Sequence, residues 1–268
     1  MKYSTSHGIA LFVPLLFVSP AFAAALATPL RAPCESTDPQ PLIAGTVFRS
    51  SGAIEADVDA FRALLGNPNN GAVAGQQLAG HREINWDAVP AGVTNVVNFP
   101  PAFFNTNSTR GLVYERTVLG LEVSDHGFTD INPTYGAEFS SFSGLKTFSS
   151  LRTNKTDVRF FVAGSDVEAA VRGFGVVFMD VDTDGSSGII LIGEDGRSLG
   201  RILAPVRSDA RGASFVGIVL RDPVISRVRI VSGNGLLGSD EIDISQGGRH
   251  DLVVLDDLLY GEPTATGN

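Results

Sequence analysis

Covalent staples are the first thing this sequence lacks. Its single cysteine, Cys34, excludes an intrachain disulfide and a cysteine-rich zinc site, so the core must hold the fold unaided. Arg31-Ala32-Pro33 before it lacks the small and aliphatic residues of a lipid-attachment signal, which leaves an unpaired thiol in a segment without pattern. Histidine is scarce as well. His7, His81, His126 and His250 are the four present, and none lies in H-E-x-x-H or another metal-ligand spacing. Charged residues make up only 18%, with a formal net charge of −9. An acidic surface repels phosphate backbones and argues against a nucleic-acid partner. Long apolar runs are missing too. The longest, Ile9 to Val18, is interrupted by Pro14 and falls short of the roughly eighteen residues a membrane span needs. No internal repeat of the propeller or solenoid kind is visible.

What is present begins with an export signal. Lys2, the apolar run, Ser19-Pro20 and then Ala21-Phe22-Ala23 have the three-part layout of a secretory signal peptide over residues 1–23. Its cleavage removes Lys2 and no acid, taking the charge to about −10 and the product to a secreted or periplasmic location. Residues 24–52 read as a flexible leader rich in Ala, Pro, Ser and Thr. Residues 53–65 read as an amphipathic helix: Ile54, Val58, Phe61 and Leu65 share one face, and Gly66 and Asn67-Pro68 stop it. This helix is expected to dock on the edge of the fold.

From Arg82 the rhythm changes to two. Ile84 and Trp86 point one way while Glu83, Asn85 and Asp87 point the other, as in a half-buried strand. Strands are expected at 94–98, 111–117, 119–124, 145–149, 157–163, 171–182, 188–193, 198–204, 213–221, 224–232, 240–245 and 251–260. The segment 171–182 is apolar on both faces and should be central. Thirty glycines and fourteen prolines supply the turns, among them Asp184-Gly185, Asp195-Gly196, Asp222-Pro223, Asn234-Gly235 and Gly247-Gly248. The pairs 188–193/198–204 and 213–221/224–232 read as hairpins. Together these features predict an all-β fold, an antiparallel β-sandwich of the jelly-roll kind over 53–262, with a tail at 263–268.

Three strings match motifs that carry chemistry. Gly196-Arg197-Ser198-Leu199-Gly200 fits G-x-S-x-G, but a nucleophile elbow needs a helix after the serine, and a strand is expected there. Gly233 to Gly238 fits G-x-G-x-x-G, again with no helix following to bind phosphate. Asp180-Val181-Asp182-Thr183-Asp184-Gly185 fits the opening of a calcium loop. Alternate carboxylates Asp180, Asp182 and Asp184 can converge on one cation, and Gly185 permits the sharp turn. The twelfth position is Leu191 rather than Glu, and the flanks read as strands, so an EF-hand is disfavoured. The choice is between a calcium site of another geometry and a solvated acidic hairpin end.

A second acidic group is Asp256-Asp257, inside an apolar strand. Neighbours on a strand face opposite sides, so one of the two should turn inward, where calcium, an arginine or backbone amides would serve as its partner. Glu83 and Asp87 on the first strand are candidates to share such a cation. The aromatic residues Phe103, Phe104, Tyr135, Phe139 and Phe142, in loop-like stretches at 99–109 and 125–144, are candidates for stacking on sugar rings, Phe104, Tyr135 and Phe139 foremost, against the alternative that they plug the ends of the sandwich. Trp86, alternating with Ile84, reads as core.

The stretches VDAFRALLG, REINWDAV, FPPAFFNTNSTRGLV, INPTY, TDVRFFVAG, GFGVVFMDVD, SLGRILAPV, RVRIVSGN and VVLDDLLYGE cover most of residues 54–262. In them the chain resembles a group of uncharacterised bacterial exported proteins, some with a C-terminal surface-sorting signal. That resemblance implies one mature domain and brings no activity. The hydrophobic segment and basic tail of a sorting signal are not found at 261–268. More loosely the chain resembles galactose-binding-like jelly rolls, which implies a structural calcium near Asp256 or Asp257. The functional expectation is a secreted protein that binds extracellular carbohydrate, with a structural calcium. The alternatives are a glycan-active hydrolase and a structural matrix protein without a small ligand.

Overall fold

A computed structural model describes residues 1–3, 42–115, 120–207, 209 and 211–267. The body of the signal peptide, the start of the leader and Cys34 lie outside the described residues. The chain divides into two units, Met1–Thr37 and Asp38–Asn268, and the second carries the fold.

Two antiparallel sheets face each other. The first runs β1 (Thr46–Ser51), β11 (Ala213–Val219), β8 (Gly173–Met179), β13 (Val254–Gly261), β5 (Thr147–Ser150), β4 (Leu121–Ser124), with β2 (His81–Ile84) paired to the far end of β13. The second runs β10 (Ser198–Leu203), β9 (Gly188–Ile192), β12 (Arg227–Val231), β6 (Lys155–Phe161), β7 (Glu168–Ala170), β14 (Thr264–Ala265), with β3 (Leu112–Glu115) also on β6. The short helices are α1 (Glu55–Leu65), α2 (Phe103–Thr106) and α3 (Tyr135–Glu138), with 3-10 turns at Ala91–Val93 and Ile244–Gln246. The expected all-β sandwich is the observed architecture.

Alternation on β8 divides the interior in two. Phe174, Val176 and Phe178 enter the core between the sheets, while Val177 and Met179 enter a second core on the outer face of the first sheet. This is why the segment reads as apolar on both sides. Helix α1 lies on that outer face, not at an edge: Phe61 packs edge-on against Phe215 and Phe48, each at 5.3 Å. Gly175 and Gly217 sit opposite each other across β8 and β11. A Cβ on either would come within 2.8 Å or 2.7 Å of the Phe61 ring, so the absence of side chains there lets the helix settle onto the sheet. Between the sheets, Trp86 stacks on Phe148 at 4.4 Å and donates its indole N–H to the Asp256 carbonyl at 3.0 Å.

Several boundaries differ from the pattern. The supposed leader contains β1. The segment 94–98 is no strand: Asn95 and Asn98 take left-handed conformations, so only the Asn95 and Phe99 amides reach β4, at Val123 and Leu121. The segment 240–245 is no strand because the Asp243 side chain captures the Ser245 amide and starts a 3-10 turn. The β9–β10 hairpin forms, whereas β11 and β12 belong to different sheets, so Asp222-Pro223 marks a crossing between sheets. Strand β10 begins at Ser198, leaving no elbow at the G-x-S-x-G string.

Buried Arg82 ties the 71–75 loop and Thr109 to Glu262, just after β13. Its Nε and Nη2 donate to Glu262 at 2.8 and 2.7 Å, and the remaining donors reach the carbonyls of Gly71, Val73, Gly75 and Thr109. Glu262 also accepts from Asn70 and from the Gln77 amide. Every group in this network is satisfied, which is the condition for a buried ion pair to be tolerated.

Candidate metal centre

Strand β8 ends at Met179, and the chain turns at once. Asp180 has φ 71°, a left-handed conformation that aspartate takes more readily than most residues. Its amide donates to the Gly212 carbonyl at 2.7 Å. The following loop is held by buried Asp251, whose carboxylate accepts from the Asp182 amide (3.3 Å), the Thr183 amide (2.9 Å) and the Ser186 hydroxyl (2.6 Å). Asp180 and Asp182 are thereby aimed back under the outer face of the first sheet.

Two further acids meet them there. Glu138 ends α3, and its carboxylate accepts from the Ser245 hydroxyl at 2.6 Å and from the Gln246 side-chain amide. Asp243 caps the 3-10 turn, accepting from the Ser245 amide and the Leu252 amide, both at 2.7 Å. One carboxylate oxygen from each of Glu138, Asp180, Asp182 and Asp243 lies within 4.8 Å of the others, and among the described residues this is the one such group. Like charges at that separation repel by about 3 kcal/mol per pair at an effective dielectric constant of 20.

The donors on Glu138 and Asp243 are hydroxyl and amide groups, not cations. Asp180 is fully buried, and neither of its carboxylate oxygens has a hydrogen-bond partner. The same is true of both oxygens of Asp182. Ionised carboxylates cannot donate to one another, and a shared proton or a cation would relieve both the missing partners and the repulsion. Burial, reinforced by Glu138, Asp243 and Asp182, pushes the Asp180 carboxyl up to about 10. Burial and then Asp243 push Asp182 upward. Asp251 is raised by burial, with its three donors pulling the other way. An all-oxygen, multiply anionic donor set of this kind is one that can hold a hard metal ion.

The sequence motif is therefore split by the fold. Asp180 and Asp182 join the cluster, while Asp184 stands exposed at the loop tip and is not part of it. Glu138 and Asp243 were missed, since nothing in their local spacing marks them. Only the packing of α3 and the 243–246 turn against the end of β8 brings them in.

Asp256, Asp257 and Glu83 form a separate centre. A bulge in β13, where the register shifts between Leu255 and Leu258, breaks the alternation that should have separated the two aspartates. Leu255 and Leu258 both face the inter-sheet core, which leaves both carboxylates on the outer side. Asp256 accepts from the Phe142 and Ser143 amides, and Asp257 from the Ser143 hydroxyl at 2.6 Å. Arg62 of α1 lies 3.6 Å from Asp257 and 2.9 Å from Glu83, and His81 lies 2.8 Å from Glu83. Arg62 thus partners Asp257 and two backbone amides partner Oδ2 of Asp256, where the analogy places calcium, while Asp256 Oδ1 is buried without a hydrogen-bond partner. Burial and the neighbouring Asp257 raise Asp256. Glu83 is lowered on balance, because His81 and Arg62 outweigh the opposing cost of burial.

Four of the five aromatic candidates, Phe103, Phe104, Tyr135 and Phe139, are interior, and Phe142 is half-buried. Phe104, Tyr135 and Phe139 are 4%, 1% and 3% exposed, and none presents a ring face to solvent. Phe104 packs on Trp86 at 5.5 Å, and Tyr135 on Phe139 at 5.4 Å. Ser124, His126 and Asp130 come together, but both the serine oxygen (3.1 Å) and the carboxylate (3.7 Å) face Nδ1 of the same ring. One nitrogen cannot relay a proton between them. Ser124 Oγ also accepts the His126 and Phe128 amides, which makes it a turn cap.

A polar groove of about 240 Å³ opens beside the acidic cluster, lined among others by Glu55, Ser140, Ser141, Phe142, Arg207 and Arg211. Met179 and Gly212, which flank Asp180 through the chain and through its amide bond, also line it. Comparison with known proteins adds no neighbour: no protein-family model matches the chain, and neither a curated protein nor a solved structure matches it.

Proposed function

We propose that this chain is an exported β-sandwich that binds extracellular carbohydrate and carries one structural calcium ion, held by Glu138, Asp180, Asp182 and Asp243. The observation that carries the reading is the Asp180 carboxylate, wholly buried, without a hydrogen-bond donor and facing three other acids. Calcium suits such a place because it accepts six to eight oxygens in irregular geometry. Magnesium demands a near-octahedral shell and keeps several waters, which a fully buried carboxylate does not accommodate. Zinc favours nitrogen and sulfur donors. Export is supported by the layout of residues 1–23. Carbohydrate as the ligand class is supported by the groove beside the cluster, where hydroxyl, carboxylate and guanidinium groups surround the half-buried ring of Phe142.

The test has two parts. Chelator-stripped protein titrated with CaCl2 in a calorimeter is expected to bind one ion, and absence of heat together with an unchanged melting curve removes the calcium. With CaCl2 present, the protein is expected to be retained on at least one polysaccharide of a broad array, and less so as Arg207→Ala. A blank array removes the carbohydrate.

A further inference from the structure

We infer that the cation works as a clasp: bound, it fastens two covering segments, 128–139 and 235–246, to the end of β8, and without it these segments come away while the core between the sheets stays folded. The inference rests on the reading that the four carboxylates hold a cation.

The two cores are built differently. The inter-sheet core is made by strands with long ladders; β8 alone pairs with β11 from Gly173 to Met179 and with β13 from Phe174 to Met179. The outer core is covered by α1 and by two segments with almost no regular structure, containing α3 of four residues and a 3-10 turn of three. Phe128, Tyr135 and Phe139 from the first and Leu237 from the second are buried there.

A set of hydrogen bonds joins these two segments to each other. The Tyr135 hydroxyl lies 2.9 Å from the Gly238 and Glu241 carbonyls and accepts the Gly238 amide at 3.0 Å. Asn132 Nδ2 donates to the Ser239 and Glu241 carbonyls at 3.2 and 2.9 Å. Ser245 and Gln246 reach Glu138. The pair therefore forms one cover.

Beside its apolar packing on Val177 and Met179, its polar attachment to the end of β8 centres on the acidic cluster. Glu138 comes from the first segment, Asp243 from the second, and Asp180 and Asp182 from the end of β8. With no cation these groups repel across the seam. One ion shared among them turns that repulsion into a tie between three parts of the chain. Apart from it, the cover is held by its apolar side chains packed with Val177 and Met179, by the Arg211 amide on the Glu138 carbonyl and the Arg211 side chain on the Gly136 and Ala137 carbonyls, by the Gly235, Ile244 and Leu252 amides on Asp251, His250 and Asp243, and by the Phe128 amide on Ser124 Oγ. Few ladder bonds and short elements mark a region that opens below the global unfolding free energy. Ser140 and Ser141 follow Phe139 directly and form a wall of the polar groove, so opening the cover also disassembles the groove.

Hydrogen exchange of the full chain in CaCl2 and in EGTA tests this, beside the calcium titration. The expected result is exchange at least about tenfold faster in EGTA for amides of 128–139 and 235–246, with β8, β11 and β12 unchanged. Asp180→Asn, short of one carboxylate ligand, is expected to lose the calcium response, with exchange in those segments the same in CaCl2 as in EGTA. If calcium binds and exchange changes uniformly, or not at all in the two segments, the clasp is wrong and the calcium site stands. If calcium does not bind, both fall.

Discussion

Asp180→Asn offers the most discriminating perturbation, because its effect changes sign with the cation. In chelator the wild type holds a buried, unpartnered carboxyl within 4.8 Å of three others. The amide removes a charge from that site and brings two N–H donors toward Glu138. A single relieved pair is worth about 3 kcal/mol, and protonation already relieves part of the repulsion in the wild type. The expected gain in EGTA is therefore about 2–3 kcal/mol, or roughly 4–12 °C in Tm at 2–4 °C per kcal/mol for a domain of this size. In CaCl2 at a hundredfold excess over Kd, the wild type gains about 2.7 kcal/mol from the bound ion. The variant, short of one carboxylate ligand, forfeits most of that. Asparagine should thus melt above aspartate in EGTA, with that advantage removed or reversed in CaCl2. Scanning fluorimetry of both proteins in both buffers reads it directly. An Asn-minus-Asp difference that is the same in the two buffers refutes the reasoning.

Other perturbations address the frame around the site. Arg82→Met leaves Glu262 buried without its partner and is expected to cost about 3–5 kcal/mol in urea unfolding; the double variant with Glu262→Leu should recover much of it. Gly217→Ala drives a methyl to 2.7 Å from the Phe61 ring and should cost about 1–3 kcal/mol, with Phe61→Leu in the same chain reducing the loss. Glu122, buried on β4 with an unpartnered Oε1, has its carboxyl pushed up to about 7 by burial and then by Asp130. The folded chain keeps that proton where the unfolded chain has lost it, so wild-type stability falls as pH rises from about 4.5 to 7. Glu122→Gln should match the wild type near pH 4 and exceed it by a widening margin up to pH 8, and melting curves with parallel pH dependence would contradict the assignment.

Much of the frame is local and was readable. The period of two after Arg82, the helix whose apolar face carries Val58, Phe61 and Leu65, and the two-sided strand around Val176 all depend on neighbouring side chains and the geometry of a single strand or helix. The mistakes came where backbone conformation or a side-chain capture overrode simple alternation, or where the sheet a strand joins was decided elsewhere. Asn95 and Asn98 in left-handed conformations broke an expected strand, and a side chain capturing its own backbone replaced another at Asp243. The Asp222-Pro223 turn, read as a hairpin, crosses between sheets, because turn chemistry does not record which sheet the next strand will join.

The site divides along the same line. Alternating acids at Asp180 and Asp182 before a glycine turn were visible as a pair of carboxylates seeking a cation, and this much is a property of the chain. The identity of the other two ligands, the exposure of Asp184, the pairing of Asp257 with Arg62 and the hold of the Phe142 and Ser143 amides on Asp256 belong to the folded molecule. Glu138 and Asp243 lie on separate excursions that meet only over the outer face of the first sheet, and the bulge in β13 reverses what simple alternation assigns. Carboxylate chemistry can be inferred from residue type; convergence of charges from three remote segments requires the packing that holds them together against their own repulsion.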